Sequence, residues 1–262
     1  MQVMDMSWGA LASIFCLLAI PVIILRIAGV PLLRQMFSAT GRMTLQLVLV
    51  ALYLEFIFRL NNFWVNSGWI LTMIVIANLT ITRSAGLQLR RMFTPLLAGL
   101  AVGTLPMVGF FVCLAIQPEP FYDARYLIPI SGMVLGNCLR ANVIALERFY
   151  SAIRADAKTF ITYLSLGATL QEACRPYLRQ ALQASLMPTL STMATMGLVS
   201  LPGMMTGQIL GGSSPMTAIK YQIAVMLAIF CAGVITAFAN IIFSLRAAFT
   251  PYGLLDQDIF SR

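Results

Sequence analysis

Long apolar runs set the strongest limit on what this chain can fold into. Residues 8–28, 43–60, 64–81, 95–116, 126–145, 187–210 and 221–245 each approach the ~20 apolar residues with which a helix crosses a hydrocarbon core of about 30 Å. The runs predict an all-α polytopic membrane protein of about seven transmembrane helices, built as one transmembrane domain over residues 1–262. Runs 43–60 and 64–81 are short for a full crossing, so either is expected to tilt differently or to lie partly in the interface. Composition agrees with the class. The chain is 60% hydrophobic and 10% charged, with a mean hydropathy of +0.87, outside the range of soluble globular domains.

The basic residues assign an orientation. Arg26, Arg34 and Arg42, then Arg83, Arg90 and Arg91, then Arg148, Arg154, Lys158, Arg175 and Arg179, and finally Arg246 and Arg262 fall in alternate inter-span segments. Arg59, Arg125 and Lys220 fall in the others, and Arg140 lies near the inner end of the fifth span. Cytosolic loops carry the excess of arginine and lysine, so the N-terminus is expected outside, the C-terminus inside and residues 147–185 in the cytosol. The net charge of +8 follows from these loops and from contact with anionic lipid, and calls for no nucleic acid. The N-terminal residues contain Asp5 and no basic stretch, which predicts that the first helix is kept rather than cleaved as a signal. Cys16, Cys113, Cys138 and Cys231 read as small buried hydrophobes, and with Cys174 they form no C-x-x-C pair.

The chain contains no histidine, which excludes a histidine general base, a Ser-His-Asp triad and a histidine-ligated zinc. An intramembrane enzyme would have only isolated serines and carboxylates to work with. Neither Lys158 nor Lys220 follows a glycine, so no Walker-type loop is present and no nucleotide is held by this chain in that manner.

Residues 147–185 place a polar, charged segment inside this lipid-compatible sequence. Gly167-Ala168 should end one helix, and Thr169 with Glu172 three residues on forms a capping box that starts another. Pro176 is expected to stop that helix near Arg175 and to sit in the first turn of the next. The segment reads either as a docking surface for a cytosolic partner or as an amphipathic interfacial loop.

The run LSLGATLQEACRPYLRQALQASLMPTL, with ISGMVLGNCLRANVIALERF before it and LVSLPGMMTGQILGGSSPMTAIKYQI after it, resembles the FetB-type ABC permease family of bacterial iron exporters and plant aluminium-tolerance permeases. More distantly, Gly167-Ala168 with Glu172-Ala173 looks like the coupling loop of importer-type ABC permeases. The resemblance implies a permease in the bacterial inner membrane, working as a homodimer with a separate cytosolic ATPase subunit that binds the ATP and Mg²⁺. It also implies export of a metal, most readily iron, with Gly167, Ala168, Thr169, Glu172, Ala173 and Arg175 at the ATPase contact. An ATPase-independent channel or secondary transporter is the competing reading; it would favour charged residues deep in the membrane, which are sparse here.

Inside the spans, Glu55 and Arg59 are spaced i, i+4, as an ion pair would be; Glu55 is otherwise a candidate oxygen ligand for a metal cation. Arg140 with Asn137 and Asn142 either lines a polar path or anchors the inner boundary. Gly99/Gly103, Gly132/Gly136 and Gly207/Gly211 are spaced for close helix packing. Residues 197–212 carry five glycines and Pro202 inside a span that should be helical, so the backbone must bend or unwind there. Either it is a proline kink, or Ser200, Pro202, Gly203, Met204, Met205, Thr206 and Gln208 form a pathway or gate. Methionines clustered at 187, 193, 196, 204 and 205 would suit a soft ion such as copper(I), or simply fill the core.

Overall fold

The computed structural model describes residues 7–260; Asp5 and Arg262 lie outside them. The described residues are helical apart from turns and isolated bridges, and they group into two compact units, one running to Leu60 with Leu210–Gly212, the other comprising Asn61–Ile209 and the chain from Ser213 onward.

In the first unit Ser7 caps α1 (Trp8–Phe15) by accepting the Ala10 amide at 3.2 Å. Pro21 cannot donate to the Leu17 carbonyl, and the chain tightens into a 3₁₀ turn (Cys16–Leu18) before α2 (Ala19–Ile27). Gly29, at φ +65°, turns the chain toward α3 (Leu33–Leu60). Both stretches expose aliphatic side chains, among them Ile23, Ile24, Leu45, Leu47 and Leu52, as lipid-facing helices do. Thr40 and Thr44 satisfy their hydroxyls on carbonyls four residues back, at 2.9 and 3.0 Å.

The second unit holds α4 (Phe63–Ser84), α5 (Leu89–Phe110) with a π-helical extension (Phe111–Ile116), α6 (Ala124–Ala155), α7 (Ala157–Ser165), α8 (Leu170–Thr195), most of α9 (Gly203–Leu210), and α10 (Pro215–Ala248). Among the described residues of the chain, six stretches are long and apolar enough to span: Gly9–Ile27, Leu33–Leu60, Phe63–Ser84, Leu89–Ile116, Ala124–Ala155 and Pro215–Ala248. The second and third spans are therefore not short. With 28 and 22 residues, α3 and α4 extend into polar flanks that the apolar runs do not count.

Helix direction follows from which residues meet. Asn78 reaches the Phe93 carbonyl and Gly99 and Gly103 lie on Asn240 and Thr236, so α5 is antiparallel to both α4 and α10. Asn142 bonds Thr236 and Asn240 while Tyr150 bonds Ser244, so α6 and α10 run parallel. The chain must return between them, and α8 does so: residues 148–155 of α6 face 180–187 of α8, and residues 137–144 face 185–192. The expected span over 187–210 is thus not one helix. The chain there is the end of α8, a break and the short α9, neither of which is among the stretches long and apolar enough to span.

Gly99 and Gly103 set the closest approach. A Cβ at either position would stand 2.9 Å from the backbone nitrogen of Asn240 or Thr236, so only glycine lets α5 rest on the α10 backbone. Around this contact lie Met92, Leu96, Leu100, Val134, Leu146, Phe149 and Ile241, all buried. Gly136 and Gly207 have nothing within 4 Å, so their spacing is not used for such packing among the described residues.

The two ends of this unit differ in chemistry. At one, Phe63, Trp64, Phe121 and Tyr122 form a ring cluster with centroids 5.3–6.0 Å apart, like an interfacial aromatic belt. At the other, residues 249–260 return across the helix ends. Gln88 donates to the Ile259 carbonyl at 2.6 Å, Arg91 pairs with Asp256, and the Arg154 guanidinium lies 5.1 Å from the Phe260 ring centroid. That second end is the arginine-rich one.

Candidate functional site

At the arginine-rich end, α7 and α8 meet in an exposed elbow. The last turn of α7 closes with Gly167 donating to the Leu164 carbonyl and Ala168 to that of Tyr163, and Gly167 adopts φ +89°, a left-handed geometry costly for any side chain. The Thr169 hydroxyl accepts the Glu172 amide at 3.3 Å, and a Glu172 carboxylate oxygen accepts the Thr169 amide at 2.8 Å and its hydroxyl at 2.7 Å. The capping box is therefore complete. Hydrogen bonding from Thr169 holds the Glu172 carboxyl below the usual glutamate range.

Gly167, Thr169, Glu172 and Arg175 are exposed and Ala168 is partly so, whereas Ala173 is buried against the core. Leu166, at the tip, is 81% exposed. The elbow thus offers a polar face with one apolar projection and is anchored from behind.

Pro176 does not stop the helix. Helix α8 continues through both Pro176 and Pro188 to Thr195. The donor lost at Pro176 is outweighed by packing on both sides of it: Ala173, Cys174, Tyr177, Ala181 and Ser185 form one buried stripe at helical spacing, and the Tyr177 hydroxyl donates to Asp156 at 2.9 Å. Burial raises the Tyr177 hydroxyl and the Cys174 thiol to about 12 each.

The break in the 187–210 span is present and has a defined form. Helix α8 ends at Thr195, Gly197 takes φ +86°, Met196 and Ser200 form an isolated bridge, and α9 begins at Gly203. Two carbonyls within the break are occupied: that of Ser200 accepts the Gly197 amide, and that of Pro202 accepts both the amide and hydroxyl of Thr206. Ser200 and Gly203 are exposed, Met205 is buried, and Pro202, Met204, Thr206 and Gln208 are half-buried. The Gln208 side-chain oxygen is buried without a hydrogen-bond partner, as is that of Gln222 on α10, whose amide nitrogen lies 3.9 Å from the Met196 sulfur.

Glu55 belongs to the first unit, residues 200–208 to the second. Glu55 pairs with Arg59 at 2.6 Å, both side chains being largely exposed. Among the described residues no cluster of three or more carboxylates and thiols gathers into a metal-binding group. Asn142 does not join Arg140 in one path. It is fully buried, donating to Thr236 at 2.8 Å and accepting from Asn240 at 2.6 Å, while Arg140 points to the exposed side of the same helix. This intramembrane network escaped the sequence because its members are 94 and 98 residues apart. Asparagines inside apolar spans were the available signal.

Fold and elbow together define an all-α polytopic membrane protein with a capped, exposed helical elbow at its basic end. The chain belongs to the Uncharacterised protein family (UPF0014), whose model matches residues 8–249. It is 35% identical over 235 residues to UPF0014 membrane protein slr1647 of Synechocystis sp., covering 90% of this chain and 91% of that one. It is 33% identical to Protein ALUMINUM SENSITIVE 3 of Arabidopsis thaliana, covering 87% and 82%. With the Probable iron export permease protein FetB of Escherichia coli it shares 28% identity, covering 82% of each. No solved structure matches the chain.

Proposed function

We propose that this chain is the permease subunit of an ABC transporter that exports iron or a related metal ion, energised by a separate cytosolic ATPase subunit. The observation that carries the reading is the elbow. A fully capped helix start, exposed on its outer side and packed on its inner side, transmits a push instead of absorbing it. The similarity to a probable iron export permease supports the substrate class. Gly167, Ala168, Thr169, Glu172, Ala173 and Arg175 make the ATPase contact. ATP and Mg²⁺ are bound by the partner, and this chain works as a homodimer in the lipid of a bacterial inner membrane. Its N-terminus is outside and its C-terminus in the cytosol, a reading the arginine distribution supports. The break at residues 200–208 serves as the gate, and Glu55, in the first unit, serves separately as an oxygen ligand for the cation.

Co-reconstitution with an ABC ATPase tests this. Gly167→Trp and Glu172→Lys should each abolish permease-stimulated ATP hydrolysis while membrane insertion stays normal. Full stimulation by both variants, or metal efflux by the permease alone, would refute the reading and favour a channel.

A further inference from the structure

At the arginine-rich end, the last turn of α7 and the turn that follows α10 interlock. Gly253 lies against the Leu164 side chain, which a Cβ there would meet at 3.3 Å, and the Phe160 and Phe249 ring centroids are 5.7 Å apart. The turn after α10 is closed within itself: the Thr250 amide donates to the Leu254 carbonyl at 2.9 Å, and the Thr250 hydroxyl accepts the Leu254 amide at 3.2 Å. Beyond it Asp256 pairs with Arg91 and Ile259 is fully buried, so the turn is fixed from both sides.

Large apolar side chains stand exposed around this junction. Tyr252 is 87% exposed, and Leu254 from the same turn, with Tyr163 and Leu166 from the α7 side, are exposed as well. Apolar groups gathered in one place and rimmed by polar ones mark a surface that another body covers. Charge decides which body. Residues 159–174 and 247–261 contain no lysine or arginine, and they include the exposed acids Glu172 and Asp258. A segment seated among lipid headgroups uses basic residues to meet their negative charge, and these two segments lack them. Apolar groups accompanied by acids suit instead a protein groove with a basic rim.

We propose that the turn at residues 251–254, together with the tip of α7, forms a second contact with the ATPase subunit, in which Tyr252 and Leu166 enter an apolar groove with a basic rim. The contact rests on the permease reading above, because it takes the same partner. Leu166 directly precedes Gly167, so the surface is continuous with the capped start of α8. The turn continues α10 and the elbow opens α8, and one partner therefore holds both helices. Because the turn is already fixed, little ordering opposes its binding.

The experiment titrates the full-length permease in nanodiscs with the ABC ATPase used for the elbow variants and reads stimulated hydrolysis. Tyr252→Ser combined with Leu254→Ser should raise the ATPase concentration giving half-maximal stimulation by about ten-fold, while the rate at saturation is kept. Tyr252→Phe should match the wild type, and Asp258→Lys should also raise the half-saturating concentration. Both serine positions are exposed, so size-exclusion profile and melting temperature should not change. In a variant without native cysteines, Tyr252→Cys labelled with bimane should shift to the blue when the ATPase is added. Quenching of that label by spin-labelled lipid without ATPase would assign the patch to the bilayer and overturn the proposal. A wild type that stimulates no ATPase would sink the permease reading and this contact together, whereas normal stimulation with unmoved half-saturation in the serine variant would sink the contact alone.

Discussion

Replacing Gly103 by alanine adds one methyl group at the point where α5 rests on α10. The new Cβ would stand 2.9 Å from the Thr236 backbone nitrogen and 3.2 Å from its Cα, and backbone atoms cannot rotate aside as a flexible side chain would. The helices must separate by some tenths of an ångström, loosening contacts around the buried Leu100 and Ala237. Overpacking of this kind costs about 1–3 kcal/mol. Gly136 provides the matched control: it is also helical, but a Cβ there meets nothing within 4 Å, so Gly136→Ala brings only the helix-propensity gain of up to about 1 kcal/mol. That gain applies equally to Gly103→Ala, which is also helical, so the two variants should differ by the overpacking cost, about 1–3 kcal/mol, in reversible unfolding in mixed lipid-detergent micelles. Equal stability of Gly103→Ala and Gly136→Ala would show that the α5–α10 contact does not bear on the glycine face, and would refute the reasoning.

Further outcomes are expected. In a variant without native cysteines, a single cysteine at Ala155 or Gln171 should react only with membrane-permeant reagents and one at Glu119 with impermeant ones; the reverse would invert the orientation. Thr169→Ala should cost the start of α8 about 1 kcal/mol, seen as faster amide exchange at residues 170–173. Because the Glu172 carboxyl is held below its ordinary range in the folded protein, its stabilisation is present above the ordinary glutamate range and lost as pH falls through the lowered value. Protection of the elbow amides, taken relative to their intrinsic exchange, should thus stay constant from about pH 8 to 5 and fall only in stronger acid, and Glu172→Gln should remove that dependence. Pro202→Ala with Gly203→Leu should impair metal efflux from proteoliposomes containing permease and ATPase more than it impairs folding; unchanged efflux would reduce the break to a kink. Efflux lost on substituting Met204 and Met205 but kept in Glu55→Gln would move the substrate from iron toward a soft ion such as copper(I).

Class, approximate span count, the capping box and the broken span were legible in the sequence because each depends on neighbouring residues. Apolar run length reports on lipid directly, Thr169 and Glu172 meet within one helical turn, and the break at Gly197 and Pro202 is a local backbone property. The Glu55–Arg59 pair is of the same kind, four residues apart on one helix. Pro176 shows where local rules fail. Its effect on a helix was overridden by the buried stripe of α8, which exists only because α6 and α10 stand beside it.

Tertiary structure decided the rest. Which of the three glycine pairs serves as a packing face depended on what lay opposite: Gly99 and Gly103 face a backbone, Gly132 a side chain, and Gly136 and Gly207 nothing among the described residues. The join of Asn142 to Thr236 and Asn240 and the clamp of Arg91 on Asp256 both bring together residues distant along the chain. In lipid, apolar surfaces give little preference for one helix neighbour over another. Helix neighbours are therefore chosen by close fit and buried polar partners, and these belong to pairs of helices rather than to any stretch of sequence.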